Sequence, residues 1–383
     1  MIIGLLGMGT IGTGVYEHLL KRDDIRVKRI LELRRHPELE HLETSDFAEI
    51  LNDTEIDTVV ELIGGMEPAH TFTVQALKAG KNVVSANKLM FSHHLEEILS
   101  LAREMGVQYR YDASVGGSIP FLYNLMRHRG SDRLTGISGI VNGTTNLILD
   151  IMQTEGRGFD DVLKEAQALG YAEADPSADI DGIDAQCKIS IASTVAYQRY
   201  VHPEDVDTAG IRNITDADII CFKQMNRVCR LIAESSLNAD GSVCACVEPT
   251  LVCNGAVEAA VRANNNAISV TGAYSGTQTF MGQGAGKDPT AFAVELGLRD
   301  ILNGIPGRLN PVPSGSACVD NSRAMRAYYL RTTAPLPIPA KALGECGGGK
   351  AYVTEPISVR EMHDLANKLS ETDHSLFFAA IQD

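Results

Sequence analysis

The chain opens on an apolar run, Ile2–Leu6, which passes through Gly7-Met8-Gly9-Thr10-Ile11-Gly12 into a segment with helical apolar spacing (Val15, Leu19, Leu20). Strand, glycine turn and helix in that order constrain the fold more than any other feature of the sequence. Gly7 permits the tight turn, Gly9 lets bare backbone approach a phosphate, and Gly12 lets the helix lie close to the sheet. The helix N-terminus adds unpaired N–H groups and a partial positive charge, so the loop predicts a dinucleotide site. The alternative is a glycine-rich turn without a ligand.

Apolar runs at 2–6, 27–33, 57–63, 82–85 and 107–111 alternate with helical patterns at 69–79 and 95–105. That alternation predicts an α/β, Rossmann-type doubly wound parallel sheet. A glycine turn and helix follow over 113–130. A strand from Ile137 then leads into Asn142-Gly143-Thr144-Thr145-Asn146, a helix-rich stretch, and strand-like runs at 243–252 and 267–271. These read as a mixed α/β second domain, with a helix over 289–302 returning to the first. From about Arg326 the chain reads as a separate piece: 328–331 is strand-like, Pro335, Pro337 and Pro339 exclude a helix, and Gly347-Gly348-Gly349 marks a turn. The expected organisation is a dinucleotide-binding domain at 1–112 completed by about 289–320, a substrate-binding, catalytic and dimerisation domain at 113–288, and a short tail at 326–383.

The 383 residues are enough for two or three cores, and a net charge of −15 argues against nucleic acid or an anionic membrane as partner. No run approaches the ~18 apolar residues of a membrane span, and the chain starts on a strand rather than a basic leader, so a cytoplasmic location is expected. Eight cysteines include no CxxC pair, which points to buried thiols rather than a metal or redox motif.

Two segments carry candidate chemistry. Ser85-Ala86-Asn87-Lys88 lies at a strand end, where Lys88 either reaches a ligand cleft or is an ordinary surface lysine. The stretch 170–188 holds Glu173, Asp175, Asp179, Asp181, Asp184 and Lys188. Asp184 and Lys188 are four apart and share a face of a helix beginning near Gly182. On a surface that is a weak ion pair, but Ile183, Cys187, Ile189, Ile191 and Ala192 around it imply partial burial. A lysine held by a carboxylate in a cleft stays protonated and can protonate a forming alkoxide; the surrounding carboxylates attract a substrate ammonium. Loops at 115–120 and 282–291 can bring bare backbone against a ligand or be plain tight turns.

Taken in order, GMGTIG at 7–12, SANK at 85–88, YDASVGGSIP at 111–120, NGTTN at 142–146, LGYAEADPSADIDGIDAQCK at 169–188 and GQGAGKDPTA at 282–291 resemble homoserine dehydrogenases over roughly residues 1–320. The resemblance implies reversible NAD(P)-dependent reduction of L-aspartate 4-semialdehyde to L-homoserine, on the route to threonine and methionine. It implies Lys188 as proton donor, Asp184 holding Lys188 and meeting the substrate, Glu173 and Asp179 at the amino and hydroxyl end, and Lys88 beside the nicotinamide. Cofactor contacts would come from Gly7, Gly9, Thr10, Ile11, Gly12, Ser85, Lys88, Gly284 and Gly286. A monovalent cation, usually sodium, would sit on Asp112, Val115, Gly117 and Ile119, mostly through backbone carbonyls. Three departures stand out: Asp112 replaces the usual glutamate, and Ser118 and Lys287 replace glycines. A homodimer or higher homo-oligomer is implied.

The tail resembles a shortened ACT domain. Residues 327–332 match its first strand and 351–382 a later strand, helix and strand, with a link between them too short for the missing helix and strand. It is expected not to bind threonine by itself and to serve a structural role across subunits. Glu32, placed to take ribose hydroxyls of NAD, is followed by Arg34 and Arg35, which would hold the phosphate of NADP; the two arginines tilt the balance slightly to NADP. The alternatives are a related oxidoreductase acting on another small amino or oxo acid, and a weakly active regulatory paralogue.

Overall fold

A computed structural model describes residues 1–306 and 312–382, so 307–311, within the expected 289–320 completion, lie outside the described residues. The chain divides into two compact units: Met1–Asp132, Ile191–Tyr200 and Gln283–Ser316 form the first, and Arg133–Ser190, Val201–Gly282 and Ala317–Asp383 the second.

In the first unit the strands are β1 (Ile2–Leu6), β2 (Arg26–Leu31), β3 (Glu43–Thr44), β4 (Thr58–Glu61), β5 (Asn82–Ser85) and β6 (Tyr109–Arg110). Their order is β3-β2-β1-β4-β5-β6 and every pairing is parallel. The order reverses between β1 and β4, the place where a doubly wound sheet opens a crevice beyond its carboxyl ends. Helices α1 (Thr10–Leu19), α2 (Phe47–Leu51), α3 (Ala69–Lys78), α4 (Lys88–Glu104), α5 (Phe121–His128) and, late in the chain, α11 (Lys287–Leu302) complete the unit. Ile3, Leu5, Val60 and Val84 of the sheet share one buried cluster with Val15 and Leu19 of α1 and Ala291, Val294 and Leu298 of α11. The 291, 294, 298 spacing puts one apolar stripe of α11 on the sheet. Leu20, expected with Val15 and Leu19, instead caps α1 and is 66% exposed. α4 starts at Lys88, where Asn87 caps it by accepting from Met90 N–H at 3.1 Å, and is kinked at His94 directly before the apolar pattern at 95–105.

The second unit is built on a mixed sheet. Its strands are β7 (Leu134–Ile140), β8 (Asp207–Thr208), β9 (Arg227–Leu237), β10 (Val243–Cys253), β11 (Asn265–Gly272), β12 (Gly276–Gln283), β14 (Tyr328–Thr332), β15 (Ala340–Cys346), β16 (Gly349–Thr354) and β18 (Phe377–Ile381), with β13 (Met325–Arg326) and β17 (Ile357–Ser358) paired apart. The order is β12-β11-β7-β9-β10-β18-β14-β16-β15, and β8 pairs with β10. Helices α6 (Gly143–Glu155), α7 (Phe159–Ala168), α8 (Ser177–Ile180), α9 (Ile183–Tyr197), α10 (Asp216–Gln224) and α12 (Val359–Ser370) follow the chain, α9 running on into residues of the first unit.

The tail differs from expectation in two respects. Its strands are not a separate sheet, since β18 pairs parallel with β10 and antiparallel with β14. The stretch read as a mere link forms β15, which turns at Gly347 and Gly348 (φ 56° and 83°) into β16. The prolines do keep 333–339 out of a helix. Tyr328, Leu330 and Phe378 pack with Met362, Ala366 and Leu369 of α12 into a core that belongs to this end of the sheet. Of the cysteines, Cys253 and Cys318 are exposed, contrary to the expectation that all are buried.

Candidate active site

The glycine loop after β1 is shaped by its own backbone. Gly7 takes φ 94°, and a Cβ there would lie 2.9 Å from the Leu62 carbonyl oxygen. A Cβ on Gly12 would lie 2.0 Å from the Gly7 carbonyl oxygen, so only a glycine here lets α1 lie this close to the backbone leaving β1. Close helix–helix approach falls to Gly14, whose Cβ would meet Lys287 and Ala291 of α11. Around Gly9 a Cβ would find nothing within 4 Å. Thr10 and Ile11 open α1, which has no side-chain cap, so its first-turn N–H groups are left to an incoming anion.

Glu32 follows β2 and turns back to this loop. Its carboxylate accepts from Met8 N–H at 2.8 Å, Leu33 N–H at 2.8 Å and Arg34 N–H at 3.0 Å. Burial pushes its pKa up, but the three backbone donors outweigh that and hold it below the usual carboxylate range. Arg34 and Arg35 are both exposed beside it.

At the ends of β4 and β5 a polar chain links two turns. The wholly buried Glu61 accepts from Ser85 Oγ at 2.7 Å and from Ile63 N–H at 2.9 Å. Ser85 Oγ accepts from Asn87 N–H at 3.0 Å, and Asn87 Nδ2 donates to the Gly65 carbonyl at 2.8 Å. Gly64 and Gly65 adopt φ 78° and 71°, with open space where a Cβ would sit. Lys88, half-buried, is the first residue of α4 directly after this arrangement. Glu61, Gly64 and Gly65 were not singled out from the sequence, and Asn87 only as a member of the 85–88 run.

In the second unit the acidic segment sorts itself. Gly182, at φ 86°, breaks the chain so that α9 starts at Ile183. Lys188 and Asp184 then lie one turn apart, buried, with Nζ 2.6 Å from Asp184 Oδ2. Nζ also donates to the Val141 carbonyl at 2.7 Å. An ammonium carries three donors, and these acceptors use two of them. Asn142 Nδ2 bridges Asp179 Oδ1 at 2.6 Å and Asp184 Oδ2 at 2.8 Å, while its Oδ1 caps α6 by accepting from Thr145 N–H at 2.8 Å. Asp179, Asp184 and Lys188 are thus gathered around Asn142. Asp181 is held elsewhere, by both Nε and Nη2 of Arg212. Glu173 is exposed on the loop before α8, and its carboxylate is not part of the hydrogen-bonded group.

The 112–120 loop sits in the first unit. Asp112 opens a short turn, and its Oδ1 is buried without a hydrogen-bond partner. Burial pushes its carboxyl pKa up, Arg110 draws it down, and Asp300 pushes it up again. Gly117, at φ 53°, lies so close to the 283–284 backbone that a Cβ would be 2.6 Å from the Gly284 carbonyl oxygen. Ser118 does not disturb this approach: its Oγ donates to the Gln283 carbonyl at 3.1 Å. Val115 and Ile119 are buried in the same loop. Gly286, at φ 119°, caps α11. Lys287 ties α11 to α1, its Nζ 2.6 Å from Glu17 Oε2.

The first unit carries a parallel sheet with a glycine loop at its switch point, suited to a dinucleotide, and the second a buried lysine–carboxylate pair among further acids, suited to proton transfer; these are the features of the dinucleotide-dependent oxidoreductase class. Residues 7–112 match the family model described as homoserine dehydrogenase, NAD binding domain, and residues 120–302 the model described as homoserine dehydrogenase. The chain is 39% identical over 316 residues to the homoserine dehydrogenase of Synechocystis sp., covering 79% of this chain and 72% of that one. It is 38% identical over 315 residues to that of Bacillus subtilis, covering 78% and 72%. The crystal structure of a homoserine dehydrogenase from Thiobacillus denitrificans superimposes with a TM-score of 0.85 at 31% identity, covering 100% of this chain and 98% of that one. A hyperthermophilic archaeal homoserine dehydrogenase in complex with NADPH gives a TM-score of 0.68 at 25% identity, covering 80% and 98%. The chain belongs to the homoserine dehydrogenase family, NAD(P)-dependent oxidoreductases that interconvert L-aspartate 4-semialdehyde and L-homoserine. Among the described residues no helix is long and apolar enough to cross a membrane.

Proposed function

We propose that Lys188 is the proton donor of this reaction and that Asp184, Asp179 and Glu173 hold the amino-acid substrate, the buried Lys188–Asp184 pair being the observation that carries the assignment. The Asp184 carboxylate and the Val141 carbonyl fix the direction of the ammonium. Lys188 Nζ can then donate to the aldehyde oxygen as negative charge gathers there, and take the proton back in the reverse direction. Asp179 and Asp184, oriented by Asn142, offer acceptors to the substrate ammonium and hydroxyl, with Glu173 joining from its exposed loop.

When bound, the nicotinamide supplies or accepts the hydride. The residues that fit it are Gly7, Gly9, Thr10, Ile11 and Gly12 for the pyrophosphate, Ser85 and Lys88 near the nicotinamide end, and Gly284 and Gly286 on the loop before α11. The open space at Gly9 and the uncapped start of α1 support this. NADP is the favoured cofactor, because Glu32 is taken up by three backbone donors while Arg34 and Arg35 stay exposed. The NADPH-bound archaeal relative agrees with that choice. The orphaned Oδ1 of Asp112 suits a monovalent cation shared with the carbonyls of Val115, Gly117 and Ile119. We assign dinucleotide binding to 1–112 with the 289–320 segment, substrate binding and homodimerisation to 113–288, and to 326–383 a structural, shortened ACT-like role.

The test is turnover of aspartate semialdehyde with NADPH and with NADH, followed by nicotinamide absorbance. Loss of turnover in Lys188→Ala with nucleotide binding intact supports the assignment, and an active Lys188→Ala enzyme overturns it. Arg34→Ala with Arg35→Ala is expected to raise KM for NADPH far more than for NADH; an equal rise removes the NADP assignment.

A further inference from the structure

The carboxyl of Glu61 is buried at the carboxyl end of β4, and its partners are neutral: the Ser85 hydroxyl, the backbone N–H groups of Ile63 and Gly64, and the Asn87 amide. A buried carboxyl without a cationic partner is costly and persists only where it performs a task that an apolar residue cannot. Its neighbours show the task. One oxygen holds the turn after β4, where Gly64 and Gly65 take left-handed conformations. The other holds Ser85, and Ser85 holds the backbone of Asn87. Asn87 reaches back to Gly65 and caps α4 at the residue preceding Lys88.

We propose that Glu61 is a positioning residue for the reaction: through Ser85 and Asn87 it locks the 62–65 turn to the 85–88 turn and so sets the place of Lys88. The inference rests on the assignment of Lys88 to the reaction site. Glu61 itself touches neither substrate nor cofactor in this account. Its effect is on geometry, and an error of about 1 Å in a reacting group can cost on the order of 100-fold in rate.

The decisive experiment is a double-mutant cycle on the full-length enzyme with Glu61→Gln and Lys88→Ala, reading kcat and KM for both substrates. Glu61→Gln keeps the volume but turns one acceptor into a donor facing the Ser85 hydroxyl or the Ile63 N–H. We expect kcat to fall about tenfold or more, with KM for aspartate semialdehyde nearly unchanged and the folded state intact by circular dichroism. In the Lys88→Ala background the same change should alter kcat by less than about twofold, because the group it places is gone. Equal effects in both backgrounds overturn the positioning role. A Lys88→Ala enzyme with wild-type kcat overturns the Lys88 assignment itself, a distinct outcome that also removes the route proposed for Glu61. Should Glu61→Gln fail to fold, Asn87→Ala breaks the tie to Gly65 and the cap of α4 at a residue not assigned to the cofactor, and is read in the same cycle with the same expected and refuting results.

Discussion

Asn142 combines two duties that a pair of substitutions can separate. It caps α6 with its oxygen and holds Asp179 and Asp184 with its nitrogen. Asn142→Asp keeps a competent cap but places a third carboxylate against two others at the present 2.6 and 2.8 Å contacts. At an effective dielectric constant of ~20, two unit charges about 2.7 Å apart repel by roughly 6 kcal/mol. The protein escapes the full penalty by protonating one of the three. Holding a proton on a carboxyl of ordinary pKa ~3.9 at pH 7 costs about 4 kcal/mol, which bounds the loss at about 1,000-fold in kcat/KM. The penalty should shrink by about tenfold per pH unit as pH falls from 8 towards 6, since each unit makes that proton cheaper by ~1.4 kcal/mol. Asn142→Ala loses the cap and both bonds but adds no charge, so its kcat/KM relative to wild type should be flat over the same range. The assay is kcat/KM for aspartate semialdehyde against pH for the three enzymes. An Asn142→Asp enzyme close to wild type, or one whose deficit does not change with pH, would show that Asn142 is only a cap and that the carboxylates are oriented by other means.

Three further outcomes are expected. Lys188→Ala leaves Asp184 buried without its cation, so besides losing turnover it should destabilise the fold by about 3–5 kcal/mol; Asp184→Asn together with it should restore part of that loss, measurable in urea unfolding. Glu61 has a folded pKa raised by burial, so its contribution to stability is complete below about pH 4 and is lost as pH rises through the folded value. The melting temperature of wild type minus that of Glu61→Gln should therefore fall as pH increases, and a constant difference contradicts the burial argument. Asp112→Asn removes the charge from the proposed cation site, and any response of turnover to sodium should disappear with it; a retained response places the ion elsewhere.

Much of the site was legible because its signals are local. The glycine loop is strand, turn and helix within a dozen residues, and Asp184 and Lys188 announce their shared face by a spacing of four. The rest depends on distance along the chain. Asn142 lies in a conspicuous NGTTN run, but its task appears only when 142 meets 179 and 184, and no local pattern reports such a meeting. Glu61 reads from sequence as the polar end of an apolar strand; only its burial shows that the end is inside. The strand β9 escaped notice because it is buried on both faces for most of its length and so lacks alternation, while β12 is largely exposed and polar. β15 was hidden between prolines and glycines that looked like connection alone. The three glycines of the first loop were recognised, while the close approach of α1 to α11 at Gly14 was not.

The place of β18 has a consequence for how such a chain reaches its native state. It enters between β10 and β14 rather than at the rim of the sheet, and its register partner for Ala380 is Thr250. During synthesis β10 leaves the ribosome long before β18, so the Thr250–Leu251 stretch of its flank, beyond the part that β8 pairs, stays open to water until the late strand arrives. The wide-sheet unit is therefore obliged to finish folding late, and the parallel sheet too must wait for α11 before Ile3, Leu5, Val60 and Val84 are covered. A cut or bulky insertion just before Phe377 would not trim an appendage but split a continuous sheet in two, leaving two open edges for other chains to find.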